Sequence, residues 1–339
     1  MNRKNFLSSI IAAGAAVPAL GTVNSPNQSK EPPLIPAYLR SGDLIGLTCP
    51  AGNITLLEIQ PAIERIESWG FKVKIGDTIG KKDFTFGGTD EERVKDFQQM
   101  LDDPDLKAIL SARGGYGSIR IVDYLRWEKF VTQPKWIIGF SDITVFHCHL
   151  NRNLNIVSLH SKMCNSFPED WNKAEPIQVD TINSIHQALS GEKMKYVANP
   201  DGKNKIGSCE GQLIGGNLKT IESLSGTGSD IKTEGKILFV EDTGEYLYSI
   251  DRMFWQLKRT GKLDYLEGLI IGGFKVKADD AGEDFGITLQ EIVLEKLTGY
   301  DYPVCFNFPV GHQKDNYALK YGVRHRLEVK MDGTSLEEI

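Results

Sequence analysis

Ser141 stands where a short apolar run, WII (136–138), gives way to a segment with helical spacing. A serine at such a junction has three chemical interpretations. It can cap the following helix, it can be a small residue of the core, or it can be a nucleophile on a strained strand-to-helix turn, with the next backbone amide helping to bind an oxyanion. The stretch GFSDI (139–143) has the first glycine of the G-x-S-x-G pattern, but Ile143 replaces the second. The pattern alone leaves all three interpretations open.

A nucleophilic serine needs a general base, and the base needs a carboxylate that orients it. Of the six histidines, His160 and His312 each end a strand-like run, and His312 lies in a glycine-bounded loop. His147 and His149 follow Ser141 on the predicted helix. Two residues apart they point to different sides, so they make a poor metal site.

Glu241 ends the apolar run KILFV, so we expect its carboxylate at a strand terminus, partly buried. It can orient a histidine, or it can cap a loop or pair with Arg252. His325 alternates within GVRHRLEV, which is typical of a surface strand residue. Spacing alone does not choose among these roles.

The glycine-rich stretch RGGYGS (113–118) follows the third predicted strand. It can cradle a phosphate, although it lacks the G-x-G-x-x-G pattern of dinucleotide sites. It can be a tight strand-to-helix turn that needs glycine for backbone geometry alone. A third interpretation is that one of its amides points at a neighbouring nucleophile.

Predicted strands and helices alternate through the first half of the chain, from LIGLTCP (44–50) to NIVSLH (155–160). This alternation predicts an α/β fold with a doubly wound parallel sheet, whose ligands bind at the carboxyl ends of the strands. Thr89 and Glu92 form a predicted capping box at the start of one helix. The second half reads as a mixed α+β, barrel-like domain.

These patterns divide the chain into five segments. The predicted organisation is a signal peptide (1–21), a linker (22–36), an N-terminal α/β domain that carries the candidate nucleophile (37–168), a crossover linker (169–205) and a C-terminal domain (206–339).

The N-terminus has the layout of a secretory signal: a basic start, an apolar stretch over 6–20, and small residues at Ala19 and Gly21. Gly14 and Pro18 break the apolar stretch, which is short for a spanning helix, and no cysteine precedes Cys49 to carry a lipid. We therefore expect an exported protein without a stable membrane anchor. A frayed N-terminal helix of a cytoplasmic protein is the alternative.

The composition indicates which kinds of binding partner and cross-link the protein can have. The chain has 339 residues, of which 40% are hydrophobic and 25% charged, and its net charge is −6. Its basic residues are scattered, which argues against a nucleic acid partner. The five cysteines are odd in number and widely spaced, so they read as small buried residues rather than a disulfide framework.

Several segments together resemble the motifs of one enzyme family, the serine LD-carboxypeptidases. They follow in order within 44–329: GGTDEERVKDFQQMLDDPDLKAILSARGGYGSIRIVDYL, IIGFSDITVFH, GQLIGGNL, ILFVEDTGEYLYSIDRMFWQL and GHQKDNYALKYG. Enzymes of this family trim murein tetrapeptides, and the microcin C self-immunity peptidases belong to it.

The resemblance implies a role for each candidate residue. It makes Ser141 the nucleophile, Glu241 the orienting carboxylate and His312 the base. The oxyanion donors would be the amides of Asp142 and of a glycine in RGGYG, taken here as Gly115.

The resemblance also implies the reaction. The expected substrate is a murein peptide, from which an acyl-enzyme mechanism removes the terminal D-alanine without metal or cofactor. The exported protein would then lie in a periplasm. It is also expected to form a homodimer. Arg113 can bind a substrate carboxylate or form a structural ion pair.

Two other functions stay open: hydrolysis of a peptidyl-nucleotide or other acyl conjugate, and non-catalytic binding of exported muropeptides. The sequence LHSKMCNSF departs from the Gly-Pro of many relatives after the fifth strand. This segment is expected to border the substrate cleft, so the departure bears on side-chain preference.

Overall fold

The computed structural model describes residues 32–339. Its strands are β1 (Leu44–Thr48), β2 (Lys72–Ile75), β3 (Leu106–Ser111), β4 (Trp136–Gly139), β5 (Ser158–His160), β6 (Lys195–Ala198), β7 (Gly207–Asn217), β8 (Lys236–Thr243), β9 (Gly268–Lys275), β10 (Val304–Cys305), β11 (Leu319–Tyr321), β12 (Arg324–Lys330) and β13 (Gly333–Glu338).

The α-helices are α1 (Leu56–Ser68), α2 (Asp90–Asp102), α3 (Ser118–Ile121), α4 (Glu128–Thr132), α5 (Thr144–His149), α6 (Pro176–Leu189), α7 (Leu218–Ser223), α8 (Leu247–Arg259) and α9 (Leu289–Lys296). Short 3-10 turns cover Val122–Tyr124, Ser141–Ile143 and Cys164–Ser166, and a π-helical turn covers Leu150–Leu154. The predicted capping box opens α2, where the Thr89 hydroxyl accepts from the Glu92 amide at 3.2 Å.

The first sheet has six strands in the order β11-β5-β4-β3-β1-β2. Strands β1 to β5 pair in parallel, as the alternation of strands and helices predicts. Every residue of β4 is buried, which explains why this strand reads as an apolar run rather than as an alternating pattern. The predicted α/β class with a parallel N-terminal sheet is confirmed.

The second sheet has seven strands in the order β10-β9-β8-β7-β12-β13-β6. Strands β7 to β10 pair in parallel, and β12, β13 and β6 continue the sheet in antiparallel pairs. Because β10 and β6 stand at opposite ends of this order, the barrel-like closure expected from the sequence is not confirmed. The mixed α/β character of this half is confirmed.

One strand from late in the chain belongs to the first sheet. Strand β11 pairs antiparallel with β5, and Leu319 lies opposite His160. The predicted segment 206–339 therefore supplies an edge strand to the sheet built by 37–168. The five predicted segment boundaries themselves stay predictions.

The signal peptide and most of the predicted linker lie in residues 1–31, outside the described residues. Within 32–339, no helix is both long enough and apolar enough to cross a membrane. The five cysteines are all free thiols, and each is buried except the half-buried Cys209, as their spacing predicts. The predicted homodimer stays a prediction.

Candidate active site

Ser141 lies at the carboxyl end of β4 on a turn with an unusual backbone. Its φ angle is +62°, a left-handed conformation that non-glycine residues rarely adopt. Gly139, at φ +155°, makes this turn possible, because a Cβ atom there would come within 2.8 Å of the Ile143 side chain. Such local strain persists where the surrounding fold enforces it, and it is common at reactive side chains.

The Ser141 hydroxyl does not cap the following helix. The 3-10 turn Ser141–Ile143 has no side-chain capping hydrogen bond, and neither does α5 behind it. The hydroxyl oxygen lies instead 3.1 Å from Nε2 of His312. The helix-cap interpretation is therefore excluded, and the serine is placed where an imidazole can take its proton.

His312 reaches Ser141 from a loop between β10 and β11. On its other side, Nδ1 lies 2.5 Å from Oε2 of Glu241. Gly311 allows this approach, because a Cβ atom at its position would come within 2.5 Å of the Glu241 Cβ. Since a carboxylate only accepts, Nδ1 carries the imidazole proton, and Nε2 is left to accept from Ser141.

Glu241 lies near the carboxyl end of β8 and has no solvent exposure. The expectation of a partly buried carboxylate at this strand terminus is therefore wrong, since the side chain is fully buried. Pairing with Arg252 is also excluded, since the partner of Glu241 is His312, and Arg252 lies over the ring of Tyr248. The other carboxylate oxygen, Oε1, has no hydrogen-bond partner among the described residues.

Gly115 and Asp142 line the same cavity as Ser141, which has a volume of about 440 Å³. Outside the hydrogen bonds internal to helices and strands, neither of their amides donates to a backbone carbonyl among residues 32–339. The Asp142 carboxylate accepts from the Ser118 amide at 2.7 Å, which ties the serine turn to the glycine-rich loop. Burial raises the pKa of Asp142. The arrangement provides two candidate donors for an oxyanion.

Sequence reasoning missed several polar residues that line this cavity: Asn217, Lys219, Asp242, Thr243 and Glu245. Asp242 accepts from the Asn217 side chain at 3.1 Å and from the Lys219 amide at 2.9 Å. Its burial and the neighbouring Glu241 charge raise its pKa to about 6. The signal was available, because these residues fall in or beside the motifs GQLIGGNL and VEDTGEY, to which no cavity-lining role was assigned.

His160, the other candidate base, does not reach Ser141. It is fully buried, and its Nε2 donates to Oδ1 of Asn316 at 3.2 Å. The same oxygen accepts from the Gly311 amide at 2.7 Å. His160 therefore helps to hold the loop that carries His312.

Two further histidines are structural. His147 is fully buried and lies between the Gly139 carbonyl, at 2.9 Å, and the Ser158 hydroxyl, at 2.7 Å. His325 is only 2% exposed and lies 3.0 Å from the Val323 carbonyl, so its expected surface position is wrong. Strand β12 has one covered face and one exposed face, and His325 lies on the covered face.

Arg113 stands apart from the cavity at Ser141. Its guanidinium donates to the Asn53 carbonyl at 3.1 Å, and it does not line that cavity. The predicted ion pair of Arg113 is absent as well from the described part of the chain. The predicted role of Arg113 in binding a substrate carboxylate stays a prediction. Within 32–339 no cluster of side chains is suited to hold a metal.

Family models match both halves of the chain. The LD-carboxypeptidase N-terminal domain matches residues 45–161, and the LD-carboxypeptidase C-terminal domain matches residues 210–327. The chain belongs to the LD-carboxypeptidase family. The family suggested by the sequence motifs is thus confirmed, and the protein is a serine-type LD-carboxypeptidase.

Individual relatives of this LD-carboxypeptidase fall into two groups. A probable murein peptide carboxypeptidase of Bacillus subtilis is 30% identical, over 85% of this chain and 90% of its own. The crystal structure of muramoyltetrapeptide carboxypeptidase from Oxalobacter formigenes is 28% identical with a TM-score of 0.77, over 87% of this chain and 98% of its own. The second group is represented by MccF in complex with glutamyl sulfamoyl guanosine, 25% identical with a TM-score of 0.78, over 91% and 99%.

Proposed function

We propose that this LD-carboxypeptidase removes the terminal D-alanine from murein tetrapeptide stems through a Ser141-His312-Glu241 triad. The observation that carries the proposal is the continuous pair of contacts at His312, 3.1 Å to the Ser141 hydroxyl and 2.5 Å to the buried Glu241 carboxylate. A serine, an imidazole and a carboxylate in this order form the arrangement that activates a hydroxyl nucleophile.

The mechanism follows from these positions. His312 takes the Ser141 proton through Nε2 as the serine oxygen attacks the peptide carbonyl between the diamino acid and the D-alanine. The oxyanion accepts hydrogen bonds from the amides of Gly115 and Asp142. The protonated His312, stabilised by Glu241, then gives its proton to the leaving amine, and free D-alanine departs.

Water completes the cycle. His312 takes a proton from it, and the resulting hydroxide attacks the acyl-enzyme ester. The second tetrahedral intermediate collapses, Ser141 regains its proton, and the tripeptide leaves. Each step uses this chain's own residues.

The substrate is supported by the relatives whose names refer to murein peptides or to a muramoyltetrapeptide. The test is a set of three peptides: L-Ala-D-Glu-diaminopimelate-D-Ala, the same peptide ending in L-Ala, and the same peptide with its terminal carboxylate amidated. We expect fast release of D-alanine from the first only, with the difference in kcat/KM. Equal cleavage of the L-ended peptide would mean an ordinary peptidase on this scaffold.

A second candidate is the hydrolysis of acyl conjugates such as peptidyl-nucleotides. It is favoured by the similarity to MccF, whose structure was solved with glutamyl sulfamoyl guanosine. Assaying a peptidyl-nucleotide beside the tetrapeptide separates the two. Turnover of the nucleotide conjugate alone would favour this candidate, and binding of muropeptides without any turnover would indicate a non-catalytic binding protein.

We further propose export to the periplasm, because the first 21 residues have the three-part layout of a signal. Mass spectrometry of the native protein is expected to show a mature start near Thr22. An intact Met1 on cytoplasmic protein would refute export.

A further inference from the structure

A second cavity, of about 380 Å³, lies beyond His312 and is lined by three lysines. They are Lys162, Lys275 and Lys314, and Gln313 lines the cavity beside them. Lys162 belongs to LHSKMCNSF, the segment that is expected from the sequence to border the substrate cleft. The triad described above contains none of these residues.

The positive charge of this cavity is only partly balanced by the described residues: the charges of Glu241 and Asp315 act to raise the pKa of Lys162, but neither carboxylate forms an ion pair with it. Lys314 pairs with Glu175 at 2.5 Å, but neither Lys162 nor Lys275 has a carboxylate partner within 32–339. Lys162 is half-buried, and its amine donates to the Gln313 carbonyl at 2.5 Å. Burial, together with the charge of Lys275, lowers the pKa of Lys162 to about 8. Two neighbouring cations without an ion-pair partner form a site that an anion would stabilise.

Several contacts place this cavity next to the triad. The Phe140 ring lies 4.9 Å from the His312 ring and 5.5 Å from the Lys162 amine, so it packs beside both. Lys275 pairs in register with Thr243, which lines the cavity at Ser141. The cavity at Ser141 and the lysine-lined cavity are therefore each lined by a residue at the ends of β8 and β9.

The chemistry of the proposed reaction indicates which part of the substrate each cavity would hold. The leaving amine receives its proton from His312, so the leaving residue must lie beside that imidazole. Gly115 and Asp142, whose amides are the candidate oxyanion donors, line the other cavity together with Ser141. In a terminal amino acid, the carboxylate is attached to the same carbon as that amine, so it lies within a few bonds of the proton that His312 donates.

We propose that the lysine-lined cavity is the leaving-residue subsite, in which Lys162 and Lys275 bind the terminal carboxylate of the substrate. This inference rests on the proposed function, because it requires a leaving group that carries a carboxylate. It explains how the protein would select the free end of a peptide, and it gives Lys162 a role as a specificity-determining residue. Phosphate-type anions share the charge, so the experiment must separate them from a carboxylate.

Binding is measured first, in the Ser141→Ala background, where no substrate is turned over. Calorimetry gives the Kd of the murein tetrapeptide and of its C-terminal amide. We expect the carboxylate form to bind more tightly, and Lys162→Gln to reduce that preference about 10- to 100-fold, as expected for a hydrogen bond to a charged group. Glutamine keeps an N–H donor, on a side chain one atom shorter than that of lysine, and removes the charge.

Lys275→Gln is the second variant, since Lys275 is exposed at the end of β9 and its replacement does not disturb the core. It is expected to reduce the same preference. Lys173→Gln is the matched control: Lys173 is an exposed lysine near this segment that pairs with Asp170 and does not line the cavity. The control should keep the full preference for the carboxylate.

The outcomes separate this proposal from the proposed function. If Ser141-containing protein cleaves the tetrapeptide but Lys162→Gln and Lys275→Gln both keep the wild-type preference, the subsite assignment is wrong and the function stands. If the protein cleaves neither peptide form, the proposed function fails by itself. If inorganic phosphate or a nucleotide competes in a Lys162-dependent way while D-alanine does not, the cavity binds a phosphate-type leaving group instead and the carboxylate assignment is overturned.

Discussion

Nδ1 of His312 lies 2.5 Å from Oε2 of Glu241, a carboxylate that has no contact with solvent. The two residues are 71 positions apart in the chain and meet because the loop after β10 passes over the end of β8. Among the described residues, the imidazole is the only hydrogen-bonding partner of this side chain. A buried carboxylate with a single partner fixes both the tautomer and the orientation of that partner.

Replacing Glu241 with glutamine should keep the geometry and remove the charge. The imidazolium that forms in each step would lose its counter-charge, and the amide would permit the wrong tautomer. We expect kcat to fall about 10³-fold or more while the fold is retained. Steady-state kinetics with the tetrapeptide measure the loss, and circular dichroism checks the fold. A variant with near wild-type kcat would show that Glu241 is only structural.

Replacing Ser141 with alanine should abolish turnover. The hydroxyl makes no capping bond, so its loss removes the nucleophile and leaves the following helix intact. We expect a fall in kcat of about 10³-fold or more, measured as D-alanine release. Because the turn needs a positive φ angle at this position, the melting temperature of the variant checks that the turn survives the change. Retained activity would mean that another group attacks the substrate.

His312→Ala and His160→Ala form a matched pair. His312 contacts Ser141 directly, whereas His160 acts through Asn316 on the backbone of the His312 loop. We expect the first change to lower kcat/KM nearly as much as loss of the serine, and the second to lower it by about tenfold at most. The reverse order of effects would show that the base is misassigned.

The two changes should have the reverse order of effect on stability: His160→Ala should destabilise the fold more than His312→Ala. His160 is fully buried against the rings of Phe140 and Phe239. Its truncation leaves a cavity and should cost about 2 kcal/mol or more in the free energy of unfolding. Truncation of the half-buried His312 should lower the free energy of unfolding by less. Urea unfolding of both variants makes this comparison.

Buried histidines should make the fold sensitive to acid. Burial lowers the pKa of His147 and of His325 to about 4, from an ordinary value near 6.5. Between these values the unfolded chain binds protons that the folded chain does not, so stability falls as the pH falls from 6.5 to 4. We expect each imidazole to contribute a loss of about 2 kcal/mol between pH 7 and pH 5.

His325→Gln tests this, because His325 lies on β12, away from the site. The variant should lose less stability than the wild type between pH 7 and pH 5, in urea unfolding monitored at both. The same drop in both proteins would mean that other groups account for the acid sensitivity.

Much of the fold was predictable because its signals are local. An apolar run predicts the buried strand β4, and helical spacing predicts the helix that follows it. Two residues three positions apart predict the capping box of α2. The order of the motifs identified the family, and with it Ser141, Glu241 and His312 as candidates. His325 was misjudged because strand periodicity shows which residues share a face, but not which face is covered.

The sequence by itself determined which residue types and backbone turns this protein has: a serine after a glycine turn, a histidine after a glycine, and parallel strands that end in polar loops. Only the tertiary structure decided which of them meet. Ser141 and His312 are 171 residues apart, and their contact depends on the order of strands and on β11 crossing into the first sheet. The full burial of Glu241 and the proximity of Lys162 to Lys275 likewise result from packing between segments that are remote in sequence. Local dihedral preferences and periodicity cannot encode such contacts, because each one depends on segments that are remote in sequence.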